Sequence, residues 1–273
     1  MINSVTEQES FYSDLEKKSF REILTGINNE DKKVPLVVET VIPKIEELVT
    51  KAFKRMENGG RLFYIGAGTS GRLGVLDASE IPPTFGMEPG TVIGIIAGGD
   101  YALRNAVEDA EDDPRQAWKD LQKYDICEQD TLVGIAASGR TPYVIGGLRE
   151  AREHGVLTAS IAMTHGSEIG KAAEVVIEAV VGPEFVTGST RMKAGTAQKL
   201  ILNMISTSLM IKLGHVKGNR MIDMQLTNQK LVERGTKMIM AETGLLYDKA
   251  KEMLLEHGSV RNAVDAFFEQ KQE

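Results

Sequence analysis

RLFYIGAGTSGRLG, residues 61–74, is the stretch that decides the fold. Leu62–Ile65 is a short apolar run between glycines at 60 and 66, the signature of a strand buried on both faces. Gly66-Ala67-Gly68-Thr69-Ser70-Gly71 then leads into a helical segment through residues small enough to let a ligand come close to the backbone. Outward from this point the same rhythm recurs. Thr91–Ala97, Thr131–Ala136, Val156–Ala162 and Val175–Val181 are near-continuous apolar runs separated by helical segments. Five such strands with intervening helices predict an α/β fold, a doubly wound five-stranded parallel sheet with right-handed crossovers.

The flanks read as helical. Residues 1–20 form a polar arm, and Arg21 to Met56 reads as two helices separated by the polar break Asn28–Lys33. Asp113-Pro114 and Thr141-Pro142 have the chemistry of helix starts, and Gly155 that of a helix end. Glu80 is expected to follow a short helix, with Ile81-Pro82-Pro83 as a rigid break. Thr190 to Leu213 reads as a long buried helix, residues 219–240 as another, and Thr243 to Phe268 as short amphipathic helices broken at Gly258. The implied organisation is an N-terminal arm with helices (1–56), a central sheet domain (57–218) and C-terminal helices ending in a small helical domain (219–273).

Composition narrows the function. The 273 residues carry a formal net charge of −7, which argues against a large nucleic-acid footprint. Cys127 is the only cysteine, so neither an intrachain disulfide nor a cysteine zinc cluster is available, and the four histidines lack metal-ligand spacing. The N-terminus is polar and no uninterrupted apolar run of about 18 residues exists, so no membrane span and a cytoplasmic protein are expected.

Chemistry is expected where strands give way to helices, the ligand edge of open α/β sheets. Three segments there share small residues, hydroxyls and a helix start: Gly66–Gly71, Ala136–Thr141 and Thr187–Thr190. Helix N-termini and hydroxyls suit a phosphate, although serine and threonine also cap helices with no ligand present. Gly66, Gly68 and Gly71 match the dinucleotide pattern GxGxxG, but Glu88 precedes the second strand and Asp100 lies too far on to be its acidic partner. No lysine of a GxxxxGK[ST] loop is present, which argues against ATP or GTP hydrolysis. Among the carboxylates, Glu80 and the cluster Glu108, Asp109, Glu111, Asp112 and Asp113 are acid–base candidates, and nothing in the residues alone selects a pair.

Residues 60–86 (GRLFYIGAGTSGRLGVLDASEIPPTFG), 96–113 (IAGGDYALRNAVEDAEDD), 134–148 (GIAASGRTPYVIGGL) and 182–206 (GPEFVTGSTRMKAGTAQKLILNMIS) resemble the N-acetylmuramic acid 6-phosphate etherases of the sugar isomerase (SIS) domain superfamily. The resemblance runs from about residue 20 to the C-terminus. It implies removal of D-lactate from a phosphorylated amino sugar in cell-wall recycling, with no cofactor or metal and a homodimer as the usual assembly. By motif it implies Glu80 as the acid that assists lactate departure and Glu111 as the base at C2. An acid holding its proton near neutral pH calls for a water-poor site at Glu80. For the substrate, the resemblance points to Gly68, Thr69, Ser70, Ser138, Gly139, Thr141, Ser189 and Thr190, with Arg140 and Arg191 as helpers and Lys193 as a further anion contact. The arm ESFYSDLEKKSF departs from the family's commoner pattern. Two other readings remain open: a sugar-phosphate sensor like the glucokinase regulatory protein, and an aldose–ketose isomerase.

Overall fold

The computed structural model describes residues 5–270. Two short 3-10 turns, Val5–Glu7 and Leu15–Lys17, lie in the arm. Helix α1 (Phe20–Asp31) starts at a capping box, with Ser19 and Glu22 each bonded to the other's backbone N–H. Where the sequence suggests two helices before the sheet there are three, because Val41 leaves helical geometry between α2 (Val34–Thr40) and α3 (Ile42–Met56), each with proline in its first turn.

The sheet follows the expectation closely. Its strands are β1 (Leu62–Gly66), β2 (Val92–Ile96), β3 (Thr131–Ile135), β4 (Leu157–Ala162) and β5 (Val175–Glu178). They are all parallel, in the order β2-β1-β3-β4-β5. Every residue of β1, β3 and β4 is buried, which is why they read as unbroken apolar runs rather than alternating ones. Strand order reverses between β1 and β3, so the Gly66–Gly71 and Ala136–Thr141 loops flank the switch point where such sheets bind ligands. The connecting helices are α4 (Gly68–Phe85), α5 (Gln116–Gln122), α6 (Pro142–Glu153) and α7 (Glu168–Ala172), and α8 (Lys193–Lys212) follows the last strand.

Helix α4 corrects one expectation. Pro82 and Pro83 lie inside it, and the helix continues to Phe85 before Gly86, at φ 67°, closes it by donating to the Pro82 carbonyl. The break sits after the prolines because each ring removes only one helical N–H, close to the end of the helix.

The chain forms two compact units. One holds the described residues up to Ser79 with Val92–Leu209, and the other holds Glu80–Thr91 with the described residues from Met210 onward. In the second, a small antiparallel pair, β6 (Val216–Lys217) and β7 (Arg220–Met221), turns at Gly218 with φ 61°. Helix α9 (Gln229–Thr243) therefore begins at its cap Asn228 rather than at residue 219. It packs with α10 (Tyr247–His257) and α11 (Val260–Glu269) around Met238, Ile239, Leu254 and Val264, and Gly258 makes the expected break at φ 74°.

Candidate functional site

At the first loop the glycines divide into two kinds. A side chain at Gly66 would come within 2.7 Å of the Gly71 backbone, and one at Gly71 within 2.6 Å of the Gly66 carbonyl. These two bring α4 hard against the end of β1. Gly68 stands apart, at φ 51° with open space where a side chain would be. The first-turn N–H groups of α4, which have no helical partner by geometry, begin here.

A cavity of about 240 Å³ opens beside this loop, lined by Gly68, Thr69, Arg72, Val107, Glu108 and Glu111 among others. Its far wall is irregular chain between β2 and α5, and Arg72 fixes part of that wall. The Arg72 guanidinium donates to the carbonyls of Ala102 at 2.7 Å, Leu103 at 2.9 Å and Asn105 at 3.1 Å. Sequence reasoning misses Arg72, since its only signal is a position one turn into the helix. Glu111 ends a 3-10 turn, Glu108–Glu111, on the same wall. Partial desolvation, then the charges of Asp112 and Glu108, push its carboxyl above the ordinary value of 4.5. An acidic cluster that reads as a solvated face thus places one member, with enhanced basicity, opposite an anion-suited loop.

The second loop borders its own cavity of about 240 Å³, lined by Ser138, Arg140, Thr164, His165, Gly166, Ser167 and Glu168. Gly139 turns at φ 70°, and a side chain there would meet Ser167 at 2.5 Å. Thr141 precedes α6 but makes no side-chain capping bond. Ser167 is held instead by Glu178, which accepts from its N–H and its hydroxyl at 2.9 Å each.

The helix start that follows the third segment is already filled. Glu184 is 1% exposed, and its carboxylate accepts from the N–H groups of Lys193 and Ala194, both at 2.9 Å, filling the N-terminus of α8 with the protein's own anion. Lys193 is equally buried and its ammonium donates to Glu30 at 2.6 Å rather than facing a cavity. Ser189 and Thr190 are half-buried just upstream. The start of α8 lies against the start of α4: Ser70, itself buried, donates to Gln198 at 3.0 Å, and a side chain at Gly195 would sit 3.5 Å from Thr69. The first and third segments are therefore neighbours, although 128 residues separate Ser70 from Gln198.

Glu80 lies in the second unit and is exposed, not in the water-poor surroundings expected from sequence. It follows Ser79, also exposed, on the outward side of α4. A larger cavity in the second unit, about 590 Å³, is lined by Arg220, Lys230, Glu233, Arg234, Lys237 and Met238 among others, and contains no residue singled out from sequence. Among the described residues no group of histidine, cysteine and carboxylate side chains could hold a metal ion, and no helix is long and apolar enough to cross a membrane.

Comparison with known proteins bears on this geometry. Residues 42–152 match the family of the glucokinase regulatory protein N-terminal SIS domain. The chain is 62% identical over 263 residues to an N-acetylmuramic acid 6-phosphate etherase of Bacteroides fragilis, covering 96% of this chain and 94% of that one. It is 64% identical over 261 residues to the enzyme of the same name from Christiangramia forsetii, covering 96% and 95% respectively. Among solved structures, an Escherichia coli CFT073 protein, solved as a complex, superimposes with a TM-score of 0.53 at 17% identity, covering 74% of this chain and 97% of that one. That likeness concerns the fold.

Proposed function

The chain belongs to the N-acetylmuramic acid 6-phosphate etherases, and from that premise we infer how its residues divide the work. The activity is a carbon–oxygen cleavage that removes D-lactate from N-acetylmuramic acid 6-phosphate and leaves N-acetylglucosamine 6-phosphate. The observation that supports the assignment of Glu111 is one cavity lined by Gly68, Thr69 and Glu111, an anion-suited helix start beside a carboxylate of raised pKa.

In the open-chain sugar the C1 aldehyde acidifies the C2 proton. Glu111 takes that proton, and the C2 electron pair forms a double bond to C3 as the C3–oxygen bond breaks. By its motif Glu80, exposed in this chain, is assigned to give its proton to the departing lactyl oxygen. Water then adds at C3 with Glu80 as base, and C2 is reprotonated. A base whose pKa is raised above the ordinary carboxylate value has a greater driving force for taking the C2 proton. Gly68, Thr69, Ser70, Ser138, Gly139, Thr141, Ser189 and Thr190 are assigned to the phosphate and hydroxyls of the sugar. The assembly is read as a homodimer in the cytoplasm, with residues 57–218 as the sugar-phosphate domain between the N-terminal helices and the C-terminal helical part.

The test is an assay of lactate release from N-acetylmuramic acid 6-phosphate by wild type, Glu80→Ala and Glu111→Gln. Full release by either variant removes that residue from its role. Sugar-phosphate binding by the wild type without lactate release would favour the sensor reading, to which the match over residues 42–152 gives some support.

A further inference from the structure

Two features singled out in the sequence are unused by this chemistry: the unusual N-terminal arm and Lys193. The structure joins them. Glu30, at the end of α1, is 3% exposed and its two oxygens are fully engaged. One accepts from Lys193 at 2.6 Å, and the other from Lys33 at 2.7 Å and the Tyr12 hydroxyl at 3.1 Å. Burial alone would raise its carboxyl, but the hydrogen bonds from Lys193 and Lys33 prevail and hold it below 4.5. The arm continues the brace. Ser10 donates its hydroxyl to the Phe185 carbonyl at 2.8 Å and its N–H to the Thr187 hydroxyl at 2.9 Å. The Tyr12 and Phe185 rings pack with centroids 4.6 Å apart. A side chain at Gly26 would strike the Phe185 ring at 2.5 Å, so α1 seats directly on this segment.

Lys193 is thus gripped at both ends, its N–H by Glu184 and its ammonium by Glu30. Just upstream the chain turns through Ser189 and Thr190, and just downstream Gly195 faces Thr69 of the first loop. We propose that Lys193 is a positioning residue: through Glu30 it ties α1 and the arm to the Thr187–Met192 turn, which sets Ser189 and Thr190 for the ligand held at Thr69. An ammonium already paired and shielded from solvent contributes to ligand binding through the turn it holds. This inference rests on the sugar-phosphate reading of the site.

The test is calorimetric titration of the full chain with N-acetylglucosamine 6-phosphate, alongside lactate kinetics. Lys193→Met leaves one oxygen of buried Glu30 without its donor, Lys33 and Tyr12 holding only the other, and binding is expected to weaken about tenfold, with KM rising far more than kcat falls. In Lys193→Met/Glu30→Met both buried charges are removed together, an exchange buried ion pairs often tolerate, and the Lys33 side chain, 52% exposed, is left to solvent while the Tyr12 hydroxyl loses its acceptor. The double variant is expected to melt near wild type and to bind within about threefold of it. A folded double variant that binds as weakly as folded Lys193→Met would overturn the proposal, because a direct contact cannot be restored by changing Glu30. A double variant that fails to fold would overturn it as well. If the wild type binds the sugar phosphate but releases no lactate, the etherase reading fails while the binding comparison stands. If it binds no sugar phosphate, both fall.

Discussion

The starts of α4 and α8 read almost alike in sequence, small residues and hydroxyls leading into a helix, yet they differ in what occupies them. At α4 the first turn borders an open cavity with Glu111 on its far wall. At α8 the equivalent N–H groups are taken by Glu184, an internal carboxylate raised by burial and only partly relieved by those two donors. A helix N-terminus is an anion site in both cases. At α4 the proposed anion is the substrate's phosphate, and at α8 it is the protein's own. The lesson is that loop composition identifies a place suited to an anion, while the rest of the fold decides whether that place is already filled.

The largest effect expected from breaking this contrast is at Glu111. Glu111→Gln keeps shape and removes the base, so lactate release should fall by about 10²- to 10⁴-fold with sugar-phosphate binding preserved, as read by turnover and calorimetry together. A smaller loss follows from making the first loop imitate the third. Gly68 already has a left-handed backbone with free space, which aspartate tolerates better than most residues. Gly68→Asp should place a carboxylate at the start of α4 and weaken binding of N-acetylglucosamine 6-phosphate at least about tenfold, with an unchanged circular dichroism spectrum. The converse, Glu184→Gln at α8, should cost about 1–3 kcal/mol in chemical denaturation, because it weakens a charge-assisted pair of buried bonds, and should affect the chemical step far less.

Much of this is legible in the sequence, and the limits have physical causes. The five strands are buried on both faces, so their apolar runs report them without help from tertiary context. The pair β6 and β7 has two residues in each strand, too few to express a period, so β6 goes unread and β7 falls within the helix expected over 219–240. The fate of Lys193 is illegible for a different reason. A buried cation needs a partner, and its partner Glu30 lies 163 residues away. Exposure of Glu80 likewise depends on what surrounds α4, which no local spacing encodes.

Acidity gives the remaining predictions. Because the pKa of Glu111 is raised, the ionised base is lost at a higher pH than for an ordinary carboxylate, so the acid limb of kcat/KM should fall away above pH 4.5. Glu30 has the opposite shift. Its folded-state pKa lies below 4.5, so it contributes stability above the unfolded value that is lost as pH falls through the folded one. Glu30→Gln should therefore flatten the acid side of a stability–pH profile, a small effect at neutral pH beyond the loss of the pair itself.

The central claim is that a carboxylate on the wall of the α4 cavity removes the C2 proton so that lactate can leave. Its most direct test is to run the reaction in deuterated water with wild type and Glu111→Gln, following lactate and the C2 position of the product sugar. The account predicts deuterium at C2 for every lactate released by wild type, and near-complete loss of both signals in the variant. Lactate released with the original C2 hydrogen retained, or released at the wild-type rate by Glu111→Gln, would contradict it.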